Sequence, residues 1–405
     1  MNAFEAAEIA YLHSLIGQGV DAIDTPALVV DLDAMERNMA LMQGFANAHG
    51  VKLRPHAKMH KSAQIAKLQM AAGAVGVCVQ KVSEADALAA AGVRDIYISN
   101  EVVSLHKCER IMTILRRHWA EKPQNTGIFK LAVAVDSLLG ITRLGQAMQG
   151  LLASLPKASQ QVLDVFIEID VGQGRCGVQP GHAAVPLADE IACWPGLRLG
   201  GLQAYHGRAQ HLRSAGERRL AIDAVLGKVR STMAALLQAG HTVSLVTGAG
   251  SGTFALEAAS GVYGELQAGS YLFMDADYAA NEPDPAQPQF EHALFIKSSV
   301  MGVDNTSADP RAVLDAGHKS HAIDSGLPRV HGQALIFANG GDEHGIVRSA
   351  SPDAPLPQLG DTVWLIPGHC DPTVNLHSHM IGLRGGLERG VVEGIIRVDA
   401  RGALT

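Results

Sequence analysis

Cysteine is scarce in this chain. The five residues (Cys78, Cys108, Cys176, Cys193 and Cys370) are odd in number, scattered, and include no CxxC pair. That pattern speaks against a disulfide framework and reads as reduced thiols in a cytoplasm. No apolar run is long enough to span a bilayer. The start, Met1-Asn2-Ala3-Phe4-Glu5, lacks the basic flank and apolar stretch of a signal peptide. Basic charge is not in excess: the net charge of -7 argues against broad binding to nucleic acid or membrane surfaces. No repeat suggests a solenoid. Apolar residues, by contrast, make up 47% of 405 positions against 18% charged. Such a chain can build two packed domains, or one large α/β barrel with an addition.

The apolar pattern favours the barrel. From residue 50 to about 275, short apolar runs alternate with amphipathic helical stretches such as 83–91 and 217–239. Strands are expected at 52–54, 75–79, 95–99, 130–135, 164–170, 201–205, 243–247 and near 265–267. Eight strands interleaved with helices fit a (β/α)8 TIM-type barrel better than a doubly wound sheet. Upstream, residues 1–25 show only a weak helical pattern, and 27–31 reads as a short strand. Asp33, with Glu36 three residues on, is expected to cap the next helix. Met35, Met39, Met42 and Phe45 recur there at helical spacing and read as core. After Asp277 the texture becomes β-rich and turn-rich, with runs at 293–299, 312–314, 332–337, 362–366 and 390–398. The expected division is a barrel over 32–275 and a mostly β domain from 1–31 and 276–405.

In such a barrel the chemistry gathers where strands end. Arg54-Pro55-His56-Ala57-Lys58-Met59-His60-Lys61 follows the first barrel strand. It reads either as a solvated basic loop or as the setting of a lysine kept for imine chemistry. Thr247-Gly248-Ala249-Gly250-Ser251-Gly252-Thr253 follows the seventh strand, with no Walker lysine and no Rossmann acidic partner. A loop of glycines and hydroxyls there can hold a single phosphate, although a plain turn is the alternative. Gly269-Ser270-Tyr271, past the eighth strand, can supply the other half of the cup. A phosphate cup opposite a lysine suggests pyridoxal phosphate. Arg175, between glycines after the fifth strand, is a surface arginine or a cation that orients cofactor or substrate. Gln203, Tyr205 and His206 end the sixth strand, and His206 is a candidate general base or a core histidine.

A second feature is Pro367-Gly368-His369-Cys370-Asp371-Pro372-Thr373. If extended, it points His369 and Asp371 to one side and Cys370 to the other. One imidazole and one carboxylate suit Mn²⁺ or Mg²⁺ better than structural zinc; a hydrogen-bonded turn is the alternative. Asp342-Glu343-His344 is a competing metal candidate in an apparent turn.

With these residues assembled, the chain resembles the D-threonine aldolase and D-3-hydroxyaspartate aldolase family, pyridoxal-phosphate enzymes of the alanine racemase-like fold type III. The motifs that carry the likeness are Arg54 to Lys61, Gln80-Lys81-Val82-Ser83-Glu84, Ser99-Asn100-Glu101-Val102, the stretch 172–177, 202–207, 265–277, Leu314-Asp315-Ala316-Gly317 and the segment 369–373. The resemblance implies a retro-aldol lyase that cleaves D-3-hydroxy amino acids, D-threonine and its relatives, to glycine and an aldehyde. The alternatives it leaves are a dedicated D-3-hydroxyaspartate aldolase releasing glyoxylate, and a D-serine or D-3-hydroxyaspartate dehydratase. It makes Lys58 the cofactor lysine and His206 the base. Arg175, Gln203, Tyr205, Thr247, Gly250, Ser251, Gly252, Gly269, Ser270 and Tyr271 would surround the cofactor, and His369 and Asp371 would hold the divalent cation. It also implies a homodimer with the site at a domain and subunit boundary. In resembling dehydratases the second metal ligand is a cysteine; Asp371 stands at that position here.

Overall fold

The computed structural model describes residues 3–120 and 128–405. Nine strands precede residue 270: β1 (Ala27–Asp31), β2 (Lys52–Leu53), β3 (Val77–Val79), β4 (Asp95–Glu101), β5 (Lys130–Val135), β6 (Leu163–Glu168), β7 (Leu197–Ala204), β8 (Val246–Gly248) and β9 (Glu265–Leu266). The last eight form one parallel sheet in the order β2-β9-β8-β7-β6-β5-β4-β3. Its ends meet: Val75 N–H donates to Leu53 O, and Cys78 N–H to Pro55 O, each at 2.9 Å. The sheet is therefore a closed barrel, the expected (β/α)8 architecture. All eight strands fall where the apolar runs place them, because strands buried on both faces read as continuous hydrophobic segments.

Helices pack outside through Ile111, Leu115, Ile141, Leu144, Ile191, Val225 and Leu236, all buried in one cluster with the outward faces of the strands. Burying each such side chain stabilises the fold by about 1.5–3 kcal/mol. Inside, the bottom of the barrel is closed by Arg54, which pairs with Asp95 at 2.6 Å and Glu265 at 3.0 Å. Above it lies a polar floor. Tyr97 donates to Gln203 Oε1 (3.0 Å), Gln267 Nε2 to Gln203 Oε1 and Thr247 Oγ1 (2.8 Å each), and Thr247 to Glu265 (2.8 Å).

The remaining strands are β10 (Leu294–Asp304), β11 (Arg311–Leu314), β12 (Arg329–Val330), β13 (Leu335–Asn339), β14 (Gly345–Ser349), β15 (Thr362–Ile366), β16 (His379–Arg384) and β17 (Val391–Arg397). They form a mostly antiparallel sheet, β13-β14-β11-β10-β1-β16-β17, with β15 pairing β10 and β12. The early strand β1 sits at its centre, antiparallel to β10 and parallel to β16. Leu28, Val29 and Val30 are all buried as a result, on both faces of the sheet. The first helix is Ala3–Ser14.

The helix Leu32–Ala48 is capped by Asp31, whose side chain accepts from Ala34 N–H, and not by Asp33 as expected. Asp33 instead accepts from Arg384 and from Gly385 N–H at 2.8 Å. Arg384 also grips Glu36 and Glu393, clipping this helix to β16 and β17. Among the described residues no helix is long and apolar enough to cross a membrane.

Candidate active site

A cavity of about 370 Å³ opens at the C-terminal ends of the barrel strands. That size lies in the range of small-molecule sites. Of the residues singled out in the sequence, Lys58, Arg175, Gln203, Tyr205, Gly250, Ser251, Gly269, Ser270 and Asp371 line it. Three others support it from behind. Thr247 belongs to the polar floor, Gly252 faces an adjoining depression, and buried Tyr271 holds the Ser251 hydroxyl through its N–H at 2.9 Å.

Lys58 sits in the short turn Ala57–Met59 directly after β2. Its ammonium meets Asp371 Oδ2 at 2.5 Å. Burial alone would lower its pKa, but the Asp371 carboxylate outweighs burial and raises it. His56 also lines the cavity, bonded to Gln80 (2.9 Å) and Ser99 (3.2 Å). Burial, with Lys58 beside it, drives its pKa well below the usual value, so it is a neutral ring. His60 and Lys61 instead shape the loop from beneath. His60 contacts Gln69 at 3.3 Å, and buried Lys61 pairs with Glu84 at 3.0 Å. The basic cluster is thus a built site rather than a solvated loop.

The cup opposite Lys58 is as close as backbone allows. A Cβ on Gly250 would fall 2.5 Å from Gln210 Oε1, and one on Gly269 would fall 2.9 Å from His56 O. Only glycine fits at both. With the Ser251 and Ser270 hydroxyls on that rim, Arg175 and Tyr205 on another and the Lys58 amine between, the donor set fits pyridoxal phosphate. The Arg175 guanidinium lies 6.0 Å from the Tyr205 ring centre and 4.0 Å from Glu168 Oε1. Burial, and then the charge of Glu101, push the Glu168 carboxyl up to about 9.

The metal candidate is assembled differently from expectation. The segment is not extended: His369 is the N-cap of the helix Cys370–Leu376, and Asp371 lies in its first turn. Pro372, which suits a first turn, was a legible sign of this. Buried Asp275 caps the helix by accepting from Cys370 N–H at 3.0 Å, and the Cys370 thiol turns away toward Met274 O. The two ligand candidates still converge, with His369 Nε2 3.8 Å from Asp371 Oδ1. That oxygen is buried and has no hydrogen-bond partner. Asp324 Oδ2 lies 2.7 Å from His369 Nδ1 and Ser325 Oγ 3.3 Å away. A carboxylate only accepts, so in the neutral ring Nδ1 carries the proton and the lone pair is on Nε2, toward Asp371. Burial opposes both charges, yet mutual attraction raises the His369 pKa and, with Lys58, lowers that of Asp371. An orphaned carboxylate oxygen beside an imidazole lone pair fits a divalent cation. Asp342-Glu343-His344, the competing candidate, is the turn between β13 and β14, where Glu343 pairs with Lys319.

His206 is displaced from its expected place. It is not among the residues lining the cavity, and its Nε2 packs against Gly172. Alternation along the chain turns Tyr205 inward and His206 away. Besides His56, the histidine that lines the cavity is His211, at the end of the turn Gly207–His211. Its Nδ1 meets Asp277 Oδ2 at 2.6 Å, which in the neutral ring puts the proton on Nδ1 and the lone pair on Nε2. Burial alone would push the Asp277 carboxyl up; hydrogen bonds from His211 and Arg213 instead hold it at about 2. The signal missed was the pairing with Asp277, a contact across 66 positions.

Comparison with known proteins agrees with this fold. Residues 30–277 match the family model described as "Alanine racemase, N-terminal domain", and residues 293–383 the "Putative serine dehydratase domain". The chain belongs to this alanine racemase-like family. Within it, the chain is 42% identical over 388 residues, 95% of each chain, to a D-threonine aldolase of Arthrobacter sp.. It is 41% identical over 413 residues, 99% of each chain, to a 3-hydroxy-D-aspartate aldolase of Paracoccus denitrificans. The crystal structure of D-threonine aldolase from Filomicrobium marinum superposes with a TM-score of 0.87 at 42% identity, covering 96% of this chain and 99% of that one.

Proposed function

We propose that the protein is a pyridoxal-phosphate- and divalent-cation-dependent aldolase that cleaves D-3-hydroxy amino acids to glycine and an aldehyde. The observation that carries this reading is the meeting, around one barrel mouth, of Lys58, the orphaned Asp371 Oδ1 with the His369 lone pair, and His211. When bound, the cofactor supplies a sink for the electron pair left at Cα, and the cation acidifies the 3-hydroxyl. Lys58 is the amine that holds the cofactor. Ser251 and Ser270 grip its phosphate, with Arg175 and Tyr205 about its ring. His369 and Asp371 hold the cation, with Asp324 fixing the His369 tautomer. His211 Nε2, steadied by Asp277, takes the proton of the 3-hydroxyl, the role first expected of His206.

Mn²⁺ or Mg²⁺ suits the imidazole and carboxylate pair. A cytoplasmic homodimer completes the reading: all five cysteines are free thiols, and chain size in solution checks the dimer. The test is product analysis on D-threonine and D-3-hydroxyaspartate. Glycine plus aldehyde is expected; ammonia plus a 2-oxo acid would make the protein a dehydratase instead.

A further inference from the structure

The groups assigned above act on atoms that all D-3-hydroxy amino acids share, so selectivity must come from whatever faces the other substituent of Cβ. Three lysine or arginine side chains line the cavity among the residues described: Lys58, Arg175 and Arg208. In the reading above Lys58 holds the cofactor and Arg175 stands about its ring, so neither is left for a further substituent of the substrate. Arg208 is exposed and, among the described residues, has no carboxylate within ion-pair distance.

Its position is fixed by the backbone. Arg208 lies in the 3-10 turn Gly207–His211, three residues before His211. Side chains three apart eclipse in such a turn, which sets the guanidinium over the same face as the imidazole. The turn is clamped at several points: Gly207 N–H donates to Gln173 Oε1 (2.7 Å), Gly252 N–H to Gln210 Oε1 (2.9 Å) and Asn281 to Gln210 O (2.9 Å). If His211 faces the 3-hydroxyl, the second substituent on that carbon lies beside Arg208.

We propose that Arg208 is the specificity-determining residue of this site and receives a carboxylate borne on Cβ, so that the preferred substrates are dicarboxylic D-3-hydroxy amino acids. The inference rests on the aldolase reading above. An exposed guanidinium at a cavity mouth stays hydrated beside a methyl group, at little cost. It gains forked, charge-assisted hydrogen bonds from a carboxylate.

The test compares wild type, Arg208→Gln and Arg208→Lys, each loaded with pyridoxal phosphate and Mn²⁺. The expected result is that the ratio of kcat/KM for D-3-hydroxyaspartate to that for D-threonine falls about 10- to 100-fold in Arg208→Gln, mainly through KM, and less in Arg208→Lys. A ratio unchanged within about twofold overturns the proposal, whether both substrates suffer (Arg208 then holds the α-carboxylate) or neither does. A binding readout separates this from failure of the aldolase reading. Spectral titration of the cofactor with D-aspartate and D-alanine should show the same selective loss for D-aspartate in Arg208→Gln, even if wild type cleaves neither hydroxy acid. Equal loss for both ligands, or none, again overturns it.

Discussion

Asp277→Asn is the most informative single change, because it alters the charge behind His211 without altering shape. The carboxylate accepts from His211 Nδ1 at 2.6 Å and also from the Arg213 guanidinium, and together they hold it at about 2 against an ordinary value of 3.8. A depressed carboxyl contributes stability that is present above its unfolded value and lost as pH falls through the folded one. At neutral pH the contribution is therefore fully in force. It amounts to about 1–2 kcal/mol once screening at the half-exposed His211 and Arg213 is allowed for. The variant should fold with a modestly lower Tm. Activity should suffer far more. A neutral amide neither fixes the tautomer nor steadies the imidazolium formed when His211 takes a proton, so kcat on D-threonine should fall by about 10²–10³-fold with little change in KM. The assay is steady-state glycine release at saturating cofactor and Mn²⁺. A kcat within about threefold of wild type would remove His211 from the role of base.

Two further outcomes follow from buried groups away from the reacting atoms. Burial pushes the Glu257 carboxyl up to about 7 from an ordinary 4.5, and Thr253 bonds only one of its oxygens. A raised carboxyl contributes most below its unfolded value and loses stability as pH climbs through the folded one, by about 3 kcal/mol at pH 8. Glu257→Gln should thus raise Tm at pH 8 and not at pH 4.5; equal shifts at both would refute the burial account. Gly201 has φ +149°, and a Cβ there would lie 1.9 Å from Leu245 O. Gly201→Ala should therefore cost on the order of 3–5 kcal/mol by denaturant unfolding, and a loss below about 1 kcal/mol would contradict the packing of β7 against the chain before β8.

The barrel was legible because its strands are short apolar runs punctuated by glycine and acidic turns, and burial on both faces leaves no ambiguous polar alternation. β1 was legible for the same reason. β14 was not, since Gly345-Ile346-Val347-Arg348-Ser349 mixes polar with apolar residues as half-exposed strands do; β16 was not either, because its buried centre, Met380 to Leu383, is only four residues long and holds a glycine. Lys58, Tyr205, Ser251 and Ser270 could be placed on one rim from strand ends alone. What sequence could not supply was orientation. His206 and His211 differ by five positions, and only the turn after β7 decides which reaches the cavity. The partners that set protonation, Asp277 for His211 and Asp324 for His369, join residues 66 and 45 positions apart. The Asp31 cap was missed by two residues because Asp33 and Glu36 imitate a capping box while serving Arg384.

The central claim is that one cavity cleaves the Cα–Cβ bond using a cofactor on Lys58 and a cation on His369 and Asp371. Its most direct test is glycine release from D-threonine by cofactor-loaded protein, stripped of metal by a chelator and then given Mn²⁺. The account predicts no glycine after chelation, with restoration by Mn²⁺ in wild type but not in His369→Ala. Undiminished glycine release from the stripped protein, or full restoration in His369→Ala, would contradict it.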